Sequence, residues 1–326
     1  MEKLKLHFAC GPYDRMEALA SGEVKPEGID LTYTVMDEPR DLFDRLMKSG
    51  DFDLAEMSSS EHIANTVAGT NPFVALPVFP SKVYRHSFIC HNVKSGIRTP
   101  KDLAGRRIGV PLYTMSAALW CRGMLEDEYG VDLSNVTWVQ GNMYKSGSHG
   151  NPSAPPLLRP IRLEQNQSQH SLSELLERGE IDATIGALTP SGLGVNPDIV
   201  RMFPNFREVE IDYYKKTKIH PIMHLVVIRK AVYEKNPWIA KSLYAAFEAS
   251  KKSMWEKLQY SGAQRVMLPW LYADIEEIKQ TFGDDPWPYG IEANRPTLTK
   301  AVDYMYRDAM IARKPSLDEL FVDVGA

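Results

Sequence analysis

Cysteine is scarce in this chain: Cys10, Cys90 and Cys121 are odd in number and far apart. That excludes a disulfide scaffold or a zinc ribbon, and the three are expected to be reduced thiols. No run is apolar over the roughly 20 residues that a bilayer-spanning helix needs. Neither sign of charge dominates, since 38 Lys and Arg against 42 Asp and Glu leave a net charge of −4, so nucleic acid and anionic membranes are not expected partners. A glycine-rich phosphate loop, a serine elbow and a paired-cysteine redox motif are all missing. The start, Met1-Glu2-Lys3-Leu4-Lys5-Leu6-His7-Phe8, alternates polar and apolar residues and lacks the continuous apolar core of an export signal, so a cytoplasmic location is expected.

What is present is α/β grammar. The first strand leads through Gly11-Pro12-Tyr13-Asp14-Arg15 into a helix with Asp14 and Glu17 at capping-box spacing and Gly22 as its stop. Leu31, Tyr33 and Val35 alternate as a strand, Leu42, Phe43, Leu46 and Met47 recur at helical spacing, and Phe52 to Met57 reads as a third strand ending in Ser58-Ser59-Ser60. The pattern restarts near Tyr84: a strand to Cys90, a short helix from Pro100 to Leu103, a strand from Arg107 to Val110, a helix from Met115 to Tyr129 and a strand from Val136 to Gln140. Residues 141–160 are rich in Gly, Ser and Pro and predict a long surface loop. A helix from Leu172 to Arg178, a strand from Ile181 to Ile185, a long helix starting near Pro237 and a helix from Arg295 to Met310 follow.

With 326 residues, two lobes of ordinary size are expected, each a mostly parallel sheet covered by helices. Residues 1–84 plus 226–326 form lobe 1 and 85–225 form lobe 2, joined by two crossovers; a continuous two-domain arrangement is the alternative. Ser87-Phe88-Ile89-Cys90 and Leu225-Val226-Val227-Ile228 are expected to be the paired strands that cross. Loops at 11–15, 56–60 and 111–116 should then converge on the cleft between the lobes.

Several residues there suit chemistry, and each has a plainer explanation. Pro111-Leu112-Tyr113-Thr114-Met115-Ser116 joins a strand to a helix whose free amides can seat a carboxylate, or Thr114 or Ser116 is only an N-cap. Arg122 lies two turns further along, reaching the cleft or solvent. Arg85 can grip a carboxylate and His86 can exchange a proton, or the two are an interlobe salt bridge and a core histidine. His220 and His224 fall on one face of a strand, yet no third metal ligand stands at a recognisable spacing. Glu56 and Asp14 at strand and loop ends could transfer protons or serve as caps. Asp285-Pro286-Trp287-Pro288-Tyr289-Gly290 suits a rigid wall against a flat ring, or ordinary loop packing.

Taken together, Ala9 to Arg15, Pro26-Glu27-Gly28-Ile29-Asp30, Phe52 to Ser58, Pro77-Val78-Phe79-Pro80-Ser81, Tyr84-Arg85-His86-Ser87, Arg122-Gly123, His220 to His224 and Asp285 to Gly290 resemble the 4,5-dihydroxyphthalate decarboxylase family, from residue 4 to about 322. The resemblance implies a two-lobed α/β fold like that of type II periplasmic binding proteins. It also implies a cofactor-independent, metal-free lyase of phthalate catabolism acting on a small aromatic dicarboxylate; self-association stays open. Under it Arg85, Arg15, Arg122 and the helix start at Thr114 would neutralise carboxylates. The proton donor would be His86, ahead of His224 and Glu56, with His220 as base. Tyr13, Asp14, Ser58, Ser59, Tyr113, Met115 and Trp287 would complete the substrate site. The chain departs from the family pattern at Glu61 and His62 and in the 141–160 loop with His149, which leaves a related aromatic acid open as substrate. A non-catalytic solute-binding protein or sensor and a metal-assisted lyase are the rival classes.

Overall fold

The computed structural model describes residues 2–325. Its strands are β1 (Leu4–Cys10), β2 (Ile29–Val35), β3 (Leu54–Ser58), β4 (Phe73–Lys82), β5 (Cys90–Asn92), β6 (Arg107–Val110), β7 (Thr137–Gln140), β8 (Leu163–Gln165), β9 (Ala183–Thr184), β10 (Ile199–Arg201) and β11 (Ile222–Arg229). They form two sheets, ordered β2-β1-β3-β11-β4 and β10-β5-β9-β6-β7-β8. The β1, β2 and β3 pairings are parallel, as strand-turn-helix units require. Leu225, Val226, Val227 and Ile228 of β11 are wholly buried, which explains why that stretch reads as a continuous apolar run. The molecule is the two-lobed α/β fold that the sequence predicts.

The crossing differs in detail from the expectation. The last strand, β11, lies antiparallel between β3 and β4 inside the first sheet and does not pair with residues 87–90. Residues His86–Phe88 form a 3-10 turn, and the short β5 that follows belongs to the second sheet. The contact between the two crossings is instead a backbone bond, the Val83 amide donating to the Pro221 carbonyl at 2.9 Å. Arg85 and His86 sit just past that bond as buried residues. Two helices absent from the sequence reading, Phe206–Thr217 and Leu271–Phe282, flank this region.

Two further ties join the sheets. Helix Ser116–Tyr129 packs on helix Arg295–Arg307 so closely that a Cβ on Gly123 would meet the Tyr304 ring at 2.1 Å. The 141–160 loop reaches residues that follow β2 and β3. The Asn151 amide donates to Asp44 at 3.1 Å, and the amide and hydroxyl of Ser153 donate to Glu61 at 3.0 and 2.6 Å. It is a strap rather than a free surface loop. No helix among the described residues is long and apolar enough to cross a membrane.

Candidate functional site

Glu56, the third residue of β3, is fully buried, and its carboxylate is surrounded by donors. Oε2 accepts from the Gly11 amide at 2.9 Å and the Cys10 thiol at 3.4 Å; Oε1 accepts from the Tyr13 hydroxyl at 2.6 Å and His224 Nδ1 at 2.5 Å. The last residue of β1 supplies one of these and the turn after it two, and Gly11 is needed there because a Cβ would meet the Tyr13 ring at 2.7 Å. Burial pushes the Glu56 pKa up. The His224 charge and the bonds from His224, Tyr13 and Gly11 outweigh it and hold the group below the usual carboxylate range. A depressed carboxyl stabilises the fold above its unfolded pKa, a contribution lost as acid brings the pH down through the lowered value.

An ionised carboxylate can only accept, so Nδ1 of His224 carries a proton. Nε2 has no partner among the described residues, and the side chain is 18 % exposed, with its ring edge-on to Phe43 at 5.0 Å. The pair is an oriented histidine with one nitrogen free for proton exchange.

Beside it the start of helix Ser59–Ala68 meets the start of helix Ser116–Tyr129. Ser116 Oγ lies 3.0 Å from Ser58 Oγ and 3.1 Å from Ser59 Oγ, and accepts from the Ser60 amide at 3.1 Å. Ser60 Oγ donates to the Thr114 carbonyl at 2.8 Å. Two helix N-termini and a knot of hydroxyls thus share one locus, with Met115 as the N-cap residue of the second helix.

Arg85 is 6 % exposed and has no carboxylate within salt-bridge distance among the described residues. Its Nε donates to the sulfur of Met223, the residue before His224, at 3.3 Å, and the guanidinium lies over Phe88 at 4.7 Å. Burial brings its pKa down to about 10. His86 is placed apart from the Glu56 pair. Its ring is boxed by Tyr129, Phe203 and Tyr213, with centroids at 6.1, 5.2 and 5.5 Å, and Glu210 is the nearest acid at 3.7 Å.

Arg15, His220 and Trp287 form a separate group. The Arg15 guanidinium is sandwiched between Tyr13 at 4.5 Å and Trp287 at 4.2 Å, bonded to the Pro80 carbonyl and to Asp14. His220 stacks on Tyr84 at 4.8 Å and precedes β11, so it does not share a strand face with His224. Among the described residues no cluster of three or more His, Cys, Asp or Glu could hold a metal.

Arg122 is already engaged within the protein. It forms a buried ion pair with Asp308 at 2.7 Å, donates to the Tyr113 carbonyl at 2.8 Å and covers the Tyr113 ring at 3.7 Å. Arg122 and Tyr113 therefore tie lobe 2 to the C-terminal segment. Glu61 and His62 are likewise occupied, Glu61 by Arg40 and Ser153 and His62 by the Leu320 carbonyl at 2.9 Å.

The chain resembles "4,5-dihydroxyphthalate decarboxylase" of Comamonas testosteroni, 34 % identical over 322 residues that cover 98 % of this chain and 97 % of that one. The chain belongs to the 4,5-dihydroxyphthalate decarboxylase family. A protein of the same name from Pseudomonas putida is 39 % identical over 191 residues, 59 % of this chain and 73 % of the other. Residues 19–149 also match the family model described as NMT1/THI5 like. Among solved structures, the periplasmic aliphatic sulphonate binding protein SsuA of Escherichia coli aligns with a TM-score of 0.54 at 12 % identity, covering 98 % of this chain and 97 % of that one. SsuA of Methylobacillus flagellatus aligns at 0.55 and 13 % identity, covering 98 % and 92 %. These likenesses speak to the fold, which in this family member carries Glu56, His224 and Tyr13 as one bonded unit.

The sequence placed the loops that carry Gly11, Ser60 and Ser116 at the cleft without singling out these three residues. Ser116 was legible only as part of a helix start or as its N-cap, a position that Met115 takes, because its hydroxyl partners lie 56 to 58 positions away in sequence.

Proposed function

We propose that this protein decarboxylates 4,5-dihydroxyphthalate nonoxidatively to protocatechuate and CO2, with His224 as proton donor. The observation that carries the proposal is the bonded Glu56–His224 pair with its free Nε2. A ring hydroxyl para to the departing carboxylate, once ionised, pushes electron density to the carbon that bears it. The imidazolium of His224 gives its Nε2 proton to that carbon. The bond to the carboxyl group then breaks, its electron pair returns to the ring and rearomatises it, and CO2 leaves. Glu56 stabilises the imidazolium and fixes the ring, and Tyr13 fixes Glu56. The imidazole then regains a proton from solvent.

Arg85 is the anchor for a carboxylate in this proposal. A buried cation without an anion is costly, and a substrate carboxylate would supply the missing partner. Ser58, Ser59 and the Thr114 to Ser116 helix start would seat the other. Replacing Arg85 with Met should therefore leave the empty protein as stable as before or more so, while raising KM roughly tenfold or more. Thermal melts without ligand beside steady-state kinetics check it; a lower melting temperature with an unchanged KM removes Arg85 from binding.

The likeness to sulfonate-binding proteins favours a second reading, closure on an aromatic acid without chemistry. Incubation with 4,5-dihydroxyphthalate decides between them. CO2 and protocatechuate in equal amounts are expected, and saturable binding without CO2 would leave only a binding protein.

A further inference from the structure

We infer that a cavity of about 270 Å³ behind Arg15 is a second ligand site, for a small neutral phenol, separate from the Glu56–His224 pair. Its walls include Trp255, Trp287, Phe282, Leu258 and Ile278, with His220 at one side. A benzene-sized guest fills a cavity of about 150 Å³, so there is room for one substituted ring. Three aromatic walls offer faces and edges for stacking.

The charges at the cavity decide the class of guest. Lys251 is already paired with Asp285 at 2.7 Å and Glu248 at 2.8 Å. Arg15 is held by Asp14 and the Pro80 carbonyl. A carboxylate entering here would have to break one of these pairs, whereas a neutral ring breaks none. His220 supplies the polar contact. Neither of its ring nitrogens has a partner among the described residues, its only hydrogen bond being from its backbone amide to Thr297. Burial, reinforced by the charges of Lys82 and Arg15, pushes its pKa well below the usual histidine range, so the ring stays neutral and can accept a phenolic proton.

Glu56, His224 and Tyr13 do not line this cavity. The Arg15 guanidinium forms the partition, with Trp287 on the cavity side and Tyr13 on the other, and the Tyr13 hydroxyl bonded to Glu56. A guest would therefore press on the Arg15 stack from the side away from the Glu56–His224 pair.

Calorimetric titration of the full chain with catechol, and separately with benzoate, tests this. Catechol should bind, and benzoate roughly tenfold more weakly or not at all. Ile278→Trp, which fills the cavity, should weaken catechol by roughly tenfold or more while the variant still releases CO2 from 4,5-dihydroxyphthalate. Leu258→Trp should do the same, and circular dichroism identifies a variant that has failed to fold. The proposal is overturned by silence with catechol, by benzoate binding as tightly, or by catechol affinity unchanged in both folded variants. Loss of CO2 release together with catechol binding in both would overturn it too, making the cavity the substrate pocket. A wild-type chain that releases no CO2 would sink the decarboxylase proposal alone, since the calorimetric comparison does not depend on turnover.

Discussion

Replacing His224 with Gln is expected to lower CO2 release from 4,5-dihydroxyphthalate by roughly 10²–10⁴-fold with little change in KM. Glutamine can keep a bond to Glu56 from its amide but has no proton to deliver at the carbon. Under the proposal the carboxylates are held elsewhere, by Arg85 and the paired helix starts, so the loss should fall on kcat. Glu56→Gln should move kcat the same way, because the neutral amide neither stabilises an imidazolium nor fixes Nδ1 as the donor. The double variant should be no worse than His224→Gln alone, since the two groups act as one unit. The lowered Glu56 pKa keeps the Glu56–His224 pair intact below the usual carboxylate range, so Glu56 itself should contribute a loss of kcat only as the pH falls through the depressed value. His86→Gln, by contrast, should retain turnover, because that ring lies among Tyr129, Phe203 and Tyr213. Loss in His86→Gln with retention in His224→Gln would reverse the assignment.

The proposed ranking of His224 above His86 marks the limit of the sequence. Alternating strands and helical spacings exposed the α/β grammar, and the motif set exposed the family. Glu56 and His224 were both candidates, yet only the antiparallel placement of β11 against β3 brings residues 168 positions apart within 2.5 Å. His86 ranked ahead of His224 in the sequence, although both precede or open apolar runs. The difference is tertiary: one run begins in a 3-10 turn against aromatic rings, the other lies in the central sheet. Arg85 shows the reverse case. Its charge was legible, but the salt bridge that served as the plainer explanation has no acid to complete it among the described residues. Glu61, a departure from the family pattern, became intelligible once the 141–160 loop was seen to bind it through Ser153.

Arg122→Ala is expected to destabilise the protein by about 3–5 kcal/mol, the usual cost of leaving one member of a buried ion pair alone. Arg122 is 2 % exposed, and Asp308, 9 % exposed in its side chain, would lose its close partner and keep only the longer contact to Arg307 at 4.0 Å. The alanine also abandons the Tyr113 carbonyl and ring that the guanidinium covers. The next residue, Gly123, allows the contact by letting Tyr304 approach, so the Arg122-Gly123 motif works as a clasp for the C-terminal segment. Asp308→Ala should cost a similar amount, whereas Arg122→Met combined with Asp308→Leu removes both charges and should recover much of the loss. Chemical denaturation of the three variants measures these differences. Kinetics separate the clasp from the substrate-binding role that the family resemblance suggested: a clasp predicts a near-normal KM in the combined variant, and a carboxylate anchor predicts a raised KM whenever Arg122 is absent.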